Sequence, residues 1–231
     1  MGDFGTEAWE IAGVELLSLT LEIDDRVMTS ALPPALHPTI PPVAYFTVAT
    51  YPDSPVGAFA LAQVRLGCRA AALPRGFLLR AYSDSAAVCE ALGQRWGYDC
   101  RLADVRLRRY HDRIEGTVAL DGREVLRASL LDPQPISGSS IFYVSNVNLA
   151  RGPEQGGRGV LVQVDPDYTF HRAERGAPEL GTFDHASWSA AGIDPVWPVT
   201  ATFVRCDTGF PRIRYVMDPN QLARTGTRKL R

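Results

Sequence analysis

Cys100 and Arg101 stand side by side in the run Trp96-Gly97-Tyr98-Asp99-Cys100-Arg101-Leu102, directly after an Ala-rich stretch. A thiol beside a guanidinium loses its proton more readily and can act as a nucleophile. The guanidinium can itself donate hydrogen bonds to a carbonyl or enolate oxygen. Tyr98 adds a phenol donor two residues earlier, and Trp96 offers an aromatic wall to a ligand. Each also has a plain structural reading: Cys100 as a small buried thiol, Arg101 in a salt bridge with Asp99 or Asp104, Trp96 as packing at a helix end. The other chemistry-bearing types are sparse. His37 sits between turn prolines and His111 beside Asp112, so both read as solvated. Asp184-His185 on its own is not a triad. The cysteines, Cys68, Cys89, Cys100 and Cys206, form no CxxC pair and no metal spacing with histidine. GxSxG, HExxH, P-loop and dinucleotide signatures are missing, which leads to an expectation of no cofactor.

The elements that must position these residues are mostly strands. Val14–Ile23 partly alternates, and Val43–Tyr51 is rich in aromatic and β-branched residues. Residues 56–69 and 76–82 continue the series. A short helix starts at Asp84 or Ser85 and ends at a Gly97 turn. Residues 102–109, 113–120 and 123–131 follow, the last two joined by the hairpin signal Asp121-Gly122. Residues 141–149, 160–164, 167–174, 199–206 and 212–217 complete the strands. Residues 150–159, with four glycines, read as a flap or an ordinary surface loop. About ten strands with one convincing helix argue for a closed antiparallel barrel or a sandwich. No linker separates domains, so residues 1–231 are expected to form one domain, with 1–12 and 221–231 as loose termini.

Composition narrows the partners. Hydrophobic residues make up 45% and charged residues 22%, with a net charge of −2, which gives no electrostatic case for nucleic acid or an anionic membrane. No apolar run reaches 18 residues, and the N-terminus lacks the form of a signal peptide. A cytoplasmic protein without a disulfide framework is expected.

The central run resembles the acetoacetate decarboxylase family, whose hallmark is a helix ending in Gly-Arg-Glu and then Trp-Gly-Phe/Tyr-Pro-Lys-Lys-Leu. Here Gly93-Gln94-Arg95 precedes Trp96-Gly97-Tyr98, and Asp99-Cys100-Arg101 stands for Pro-Lys-Lys. Leu32-Pro33-Pro34-Ala35-Leu36, Tyr51-Pro52-Asp53-Ser54-Pro55-Val56-Gly57 and Phe183-Asp184-His185-Ala186 are similar to family sequence in the same order. The resemblance covers residues 14 to 218. It implies a mainly β (α+β) fold: one large antiparallel β-barrel or cone with one or two short helices and a site in its lumen. Homo-oligomeric assembly is implied as well.

The chemistry of that family rests on a Schiff-base lysine whose amine is made nucleophilic at neutral pH by a second cationic group beside it. This chain has a single lysine, Lys229, near its C-terminal end. Neither a thiol nor a guanidinium can replace that amine. The resemblance places Leu61 and Phe46 near two family acids and Val14 near the arginine proposed to hold the substrate carboxylate. Gln63, Tyr82 and Trp96 are expected beside Leu61 and Phe46 as ligand contacts, and Tyr98, Cys100, which stands at the family's nucleophile position, and Arg101 are the catalytic candidates. With acids and an anion clamp exchanged for apolar groups, the expected ligand is a bulky apolar, polyketide-like small molecule. The expected reaction is a cofactor-free cyclisation, pericyclic rearrangement, isomerisation or dehydration. A non-catalytic binding protein and a Cys100-dependent covalent enzyme stand as alternatives.

Overall fold

A computed structural model of the chain describes residue 4, residues 7–150 and residues 159–230. The strands are β1 (Trp9–Ile23), β2 (His37–Pro38), β3 (Val43–Tyr51), β4 (Phe59–Ala70), β5 (Leu73–Ser83), β6 (Cys100–Leu102), β7 (Asp104–Arg109) and β8 (Arg113–Leu120). They continue with β9 (Arg123–Pro135), β10 (Ser145–Ala150), β11 (Val160–Val164), β12 (Thr169–Phe183), β13 (Pro195–Phe210), β14 (Tyr215–Met217) and β15 (Thr227–Lys229). Helices α1 (Asp25–Ala31), α2 (Ala86–Trp96) and α3 (Ala223–Gly226) interrupt them. No helix among the described residues is long and apolar enough to cross a membrane.

All the strands belong to one strongly curved sheet, ordered β15-β14-β11-β10-β5-β4-β3-β1-β13-β12-β9-β8-β7, with β2 against β4 and β6 against β5. The fold class is mainly β, and the cone-like architecture expected from the resemblance fits. Two details of the expectation are corrected. The ladder does not close, since β7 and β15 are its ends, and β10 and β6 each run parallel to β5. Closure is achieved by packing instead: β7 and β8 fold back across β3. The approach is close enough that a Cβ on Gly116 would lie 2.6 Å from the Val48 side chain.

Successive residues of the central strands enter two different cores because strand side chains alternate between faces. Leu17, Phe46, Val48 and Val64 join Ile114, Val118 and Leu126 in one core. Leu16, Ala49 and Leu61 join Trp9, Trp96 and Phe210 in the other, beneath α2. With both faces covered, β4 is almost wholly buried, and its sequence is apolar except for Gln63, Arg65 and Arg69.

Long-range pairing also extends strands past their local signals. Trp9 faces Phe210, so β1 begins inside the expected loose arm. β12 continues to Phe183 because its second half pairs with β9. Residues 223–229 form α3 and β15 against β14 rather than a loose tail. Conversely, only Ser145–Ala150 of the expected 141–149 strand is extended into the sheet, after a 3₁₀ turn at Gly138–Ser140. The glycine-rich segment expected as a flap lies outside the described residues, apart from its end residues.

Candidate functional site

Helix α2 and the turn after it aim one phenol into the fold. The Ser85 side chain accepts from the Val88 N–H at the helix start, a serine N-cap. Val88, Leu92 and Trp96 form the buried stripe at the i, i+4 spacing of one helix face. Gly97 ends the helix with φ 68°, and the Tyr98 N–H reaches back to the Leu92 carbonyl at 3.2 Å. Glycine is required there twice over, because a Cβ would also lie 2.7 Å from that of Ala150. The turn is held from three sides. Trp96 Nε1 donates to Pro211 O at 2.7 Å, Asn148 Nδ2 donates to Trp96 O at 2.8 Å, and Asp99 pairs with Arg80 at 3.0 Å.

Tyr98 therefore enters a polar pocket within the second core, where Gln63 and Arg65 project from the same face of β4. Arg65 is 6% exposed. Its Nη1 donates to Val144 O at 3.0 Å and to Asn146 Oδ1 at 2.5 Å. Asn146 Nδ2 in turn donates to Gln63 Oε1 at 2.8 Å and to the Tyr98 hydroxyl at 2.9 Å. Among the described residues Arg65 has neutral hydrogen-bond acceptors and no carboxylate partner, and its buried Nε has no acceptor. Thr47 Oγ1, at the same pocket, also lacks a partner. A buried guanidinium without a counter-charge is costly, and it presents donors to any oxygen anion that enters.

The Arg65 guanidinium lies 5.5 Å from the centroid of the Tyr45 ring, and four further tyrosines line the pocket around it. Burial pushes the phenols of Tyr51, Tyr98 and Tyr143 above the ordinary range and that of Tyr168 to about 12. All four are neutral donors near pH 7. Because Tyr98 accepts from Asn146, its own proton is available to a ligand. The space beside Arg65 is about 30 Å³. A water needs roughly 10–15 Å³, so this inner cavity holds two waters or one carboxylate group. Tyr143, Pro166 and Tyr168 also line a wider outer cavity of about 370 Å³ with Leu73, Phe142 and Phe170. Ligand pockets usually occupy about 300–1,000 Å³. The arrangement is bipartite, with a small cationic, donor-rich end and a mainly aromatic vestibule that Arg75 and Asp167 also line.

Of the residues singled out in the sequence, Tyr98 and Gln63 line the inner pocket. Trp96 and Leu61 are buried in the same core but behind it; Trp96 lies 5.2 Å from the Phe210 ring that forms part of the wall. Phe46 and Tyr82 belong to the other core. Phe46 meets Phe183 edge-on, and Tyr82 donates to Ser187 O at 2.6 Å. Val14 is fully buried in the second core. The Arg101 side chain is 58% exposed, 3.8 Å from Asp99. Cys100 packs against α2, where its Sγ lies 3.1 Å from that of Cys89. The resemblance did not point to Arg65, Asn146, Tyr143 or Tyr168. A signal for Arg65 was available: Gln63 and Arg65 are polar residues two apart within the mostly apolar β4, whose remaining polar residue, Arg69, is exposed near the strand end, and so they share one face.

Among the described residues there is no group of three or more His, Cys, Asp or Glu side chains that could hold a metal ion. A family model described as acetoacetate decarboxylase matches residues 4–219. No curated protein matches the sequence. Among solved structures, the chain is similar to acetoacetate decarboxylase from Legionella pneumophila subsp. pneumophila str. Philadelphia 1, at 19% identity and a TM-score of 0.81, over 92% of this chain and 88% of that one. The enduracididine biosynthesis enzyme MppR complexed with pyruvate gives 17% identity and 0.72 over 88% of each chain. An acetoacetate decarboxylase-like enzyme from Sphingomonas wittichii RW1 gives 16% identity and 0.65, over 92% of this chain and 100% of that one.

Proposed function

Starting from the fact that the chain belongs to the acetoacetate decarboxylase family, we propose that it is a repurposed member that works without a Schiff base. Its single lysine, Lys229, is exposed on β15, the last strand of the sheet. The proposed substrate carries a carboxylate or an enolisable carbonyl at one end and a bulkier, largely apolar body at the other. The oxygen end sits against Arg65 in the inner cavity, and the body fills the aromatic vestibule. The Arg65 guanidinium without a counter-charge is the observation that carries this reading. It revises the expectation of a bulky apolar ligand, since a buried cation rewards an anionic or enolate oxygen. The pyruvate bound to MppR is a ligand of this chemical kind.

The reaction class follows from what the pocket contains. Among the described residues, no Asp, Glu, His or Lys lines the inner cavity, so no side chain there can take a proton near pH 7. Arg65 and Tyr98 can stabilise negative charge as it develops on the carbonyl oxygen, each donor contributing about 3 kcal/mol. The vestibule can hold a flexible body folded against that end, an effect worth up to ~7–11 kcal/mol in ideal orientation. Cyclisation or pericyclic rearrangement of a secondary-metabolite intermediate needs no protein base and fits these means. Double-bond isomerisation or dehydration fits when the proton passes to water or to the substrate's own carboxylate. In each case the protein works as a cofactor-free, cytoplasmic homo-oligomer. The missing base equally favours a second reading, a binding protein that holds such a molecule without turnover.

Metabolite mass spectrometry on the source organism with this gene deleted tests the proposal. Accumulation of a compound isomeric with the missing product supports cyclisation or isomerisation. A difference of one water supports dehydration. If the product keeps its identity and only falls in amount, the binding reading replaces catalysis.

A further inference from the structure

The second chemical feature of the fold lies behind the Tyr98 turn rather than in the pocket. Cys89 is in the first turns of α2 and Cys100 opens β6, and their sulfurs are 3.1 Å apart, with Cys100 donating to Cys89. Both residues are partly exposed, whereas Cys68 and Cys206 are buried. A covalent S–S bond is about 2.05 Å long, so the pair closes with a sulfur movement of about 1 Å. We propose that Cys89 and Cys100 form a redox-active dithiol site that closes reversibly to an intramolecular disulfide when it meets a small disulfide oxidant of the glutathione type.

The division of labour follows from the surroundings. The hydrogen bond from Cys100 holds the Cys89 thiol below its usual range, helped by a backbone contact from Ser83. The same bond and burial push Cys100 up. Cys89 is therefore the attacking thiolate. Its sulfur displaces one glutathione thiolate from oxidised glutathione and forms a mixed disulfide. Cys100 then loses its proton to water and attacks the Cys89 sulfur, expelling the second glutathione. Two protein thiols and one glutathione disulfide yield one protein disulfide and two glutathione thiols, so atoms and electrons balance. Burial holds the thiols of Cys68 and Cys206 up at about 12, which keeps them out of this exchange. The bond would tie α2 to β6 across the Trp96–Asp99 turn and so brace the segment that presents Tyr98.

The experiment is to incubate the reduced protein with oxidised glutathione at pH 8 and read intact mass and a non-reducing peptide map. The expected product is lighter by two hydrogens and contains a Cys89–Cys100 linked peptide, reverting on treatment with reduced glutathione. Cys100→Ala should stop at the Cys89 mixed disulfide, and Cys89→Ala should react far more slowly. Hydrogen exchange of residues 97–99 should slow in the oxidised protein. A wild-type protein that stays reduced, accumulates a stable glutathione adduct, or links through Cys68 or Cys206 overturns the proposal. Because the mass and peptide readouts are made on the wild-type protein, a poorly folding variant still leaves that result decisive.

Discussion

Replacing Arg65 with methionine separates a ligand-binding cation from a structural one. The substitution keeps length and apolar stem but removes the charge. Without ligand, two effects oppose each other. Val144 O and Asn146 Oδ1 lose their donor, at about 1–3 kcal/mol for each buried acceptor left unpaired. Removal of a buried charge that has no carboxylate partner recovers a desolvation penalty of several kcal/mol. The sum is close to zero, within about 2 kcal/mol, and for a chain of this size that is a Tm shift of only about 4–8 °C either way. With an anionic ligand the balance is one-sided, because truncating one member of a buried charge pair costs about 2–5 kcal/mol. Arg65→Met should therefore weaken binding of a 2-oxo acid roughly 30-fold to several thousand-fold. Isothermal titration calorimetry with 2-oxo acids of increasing tail length measures this, beside a thermal melt of the unliganded variant. Arg65→Lys, which keeps the charge but loses the planar fork, should fall between the two. Unchanged affinity in a folded Arg65→Met protein would refute the anion-anchor reasoning, and so would a variant that cannot fold at all.

The other predictions follow from the same geometry. Tyr98→Phe should fold normally, since Asn146 keeps Gln63 as a partner, and should lose about 10²–10³-fold in kcat once a substrate is in hand. Trp96→Ala should lower stability by about 3–5 kcal/mol in a urea titration, because Trp96 is fully buried and holds Pro211 O. Stability should also fall with alkali between pH 10 and 12. The Tyr168 phenol, raised to about 12 by burial, stays protonated in the folded protein while its unfolded counterpart ionises near 10, so each step up in pH through that window favours unfolding; denaturation midpoints at pH 9, 10.5 and 12 check this. Cys100→Ala, outside the pocket, should leave ligand binding within about twofold of wild type by the same calorimetry.

Local chemistry wrote the positions of α2 and its neighbours plainly into the sequence: a serine cap, a helical stripe of Val88, Leu92 and Trp96, and a glycine that the chain needs at positive φ. The same holds for the Asp121-Gly122 hairpin and for the family motifs, whose types and order do not depend on distant contacts. The single lysine, too, is a fact of composition, and it bounds the chemistry before any fold is known. Tertiary structure decided which face of each strand meets the site. Phe46 and Tyr82 turned to one core while Gln63, Arg65 and Tyr98 turned to the other, because strand neighbours point in opposite directions and both faces of this sheet are covered. In the central strands, where both faces are covered, only the Gln63–Arg65 pair marks the register, and a one-residue uncertainty in alignment exchanges the two cores. Tertiary structure also brought Asn146, Tyr143 and Tyr168 to Arg65 from strands and loops far along the chain. Such contacts are set by the curvature of the whole sheet and leave no local trace in the sequence.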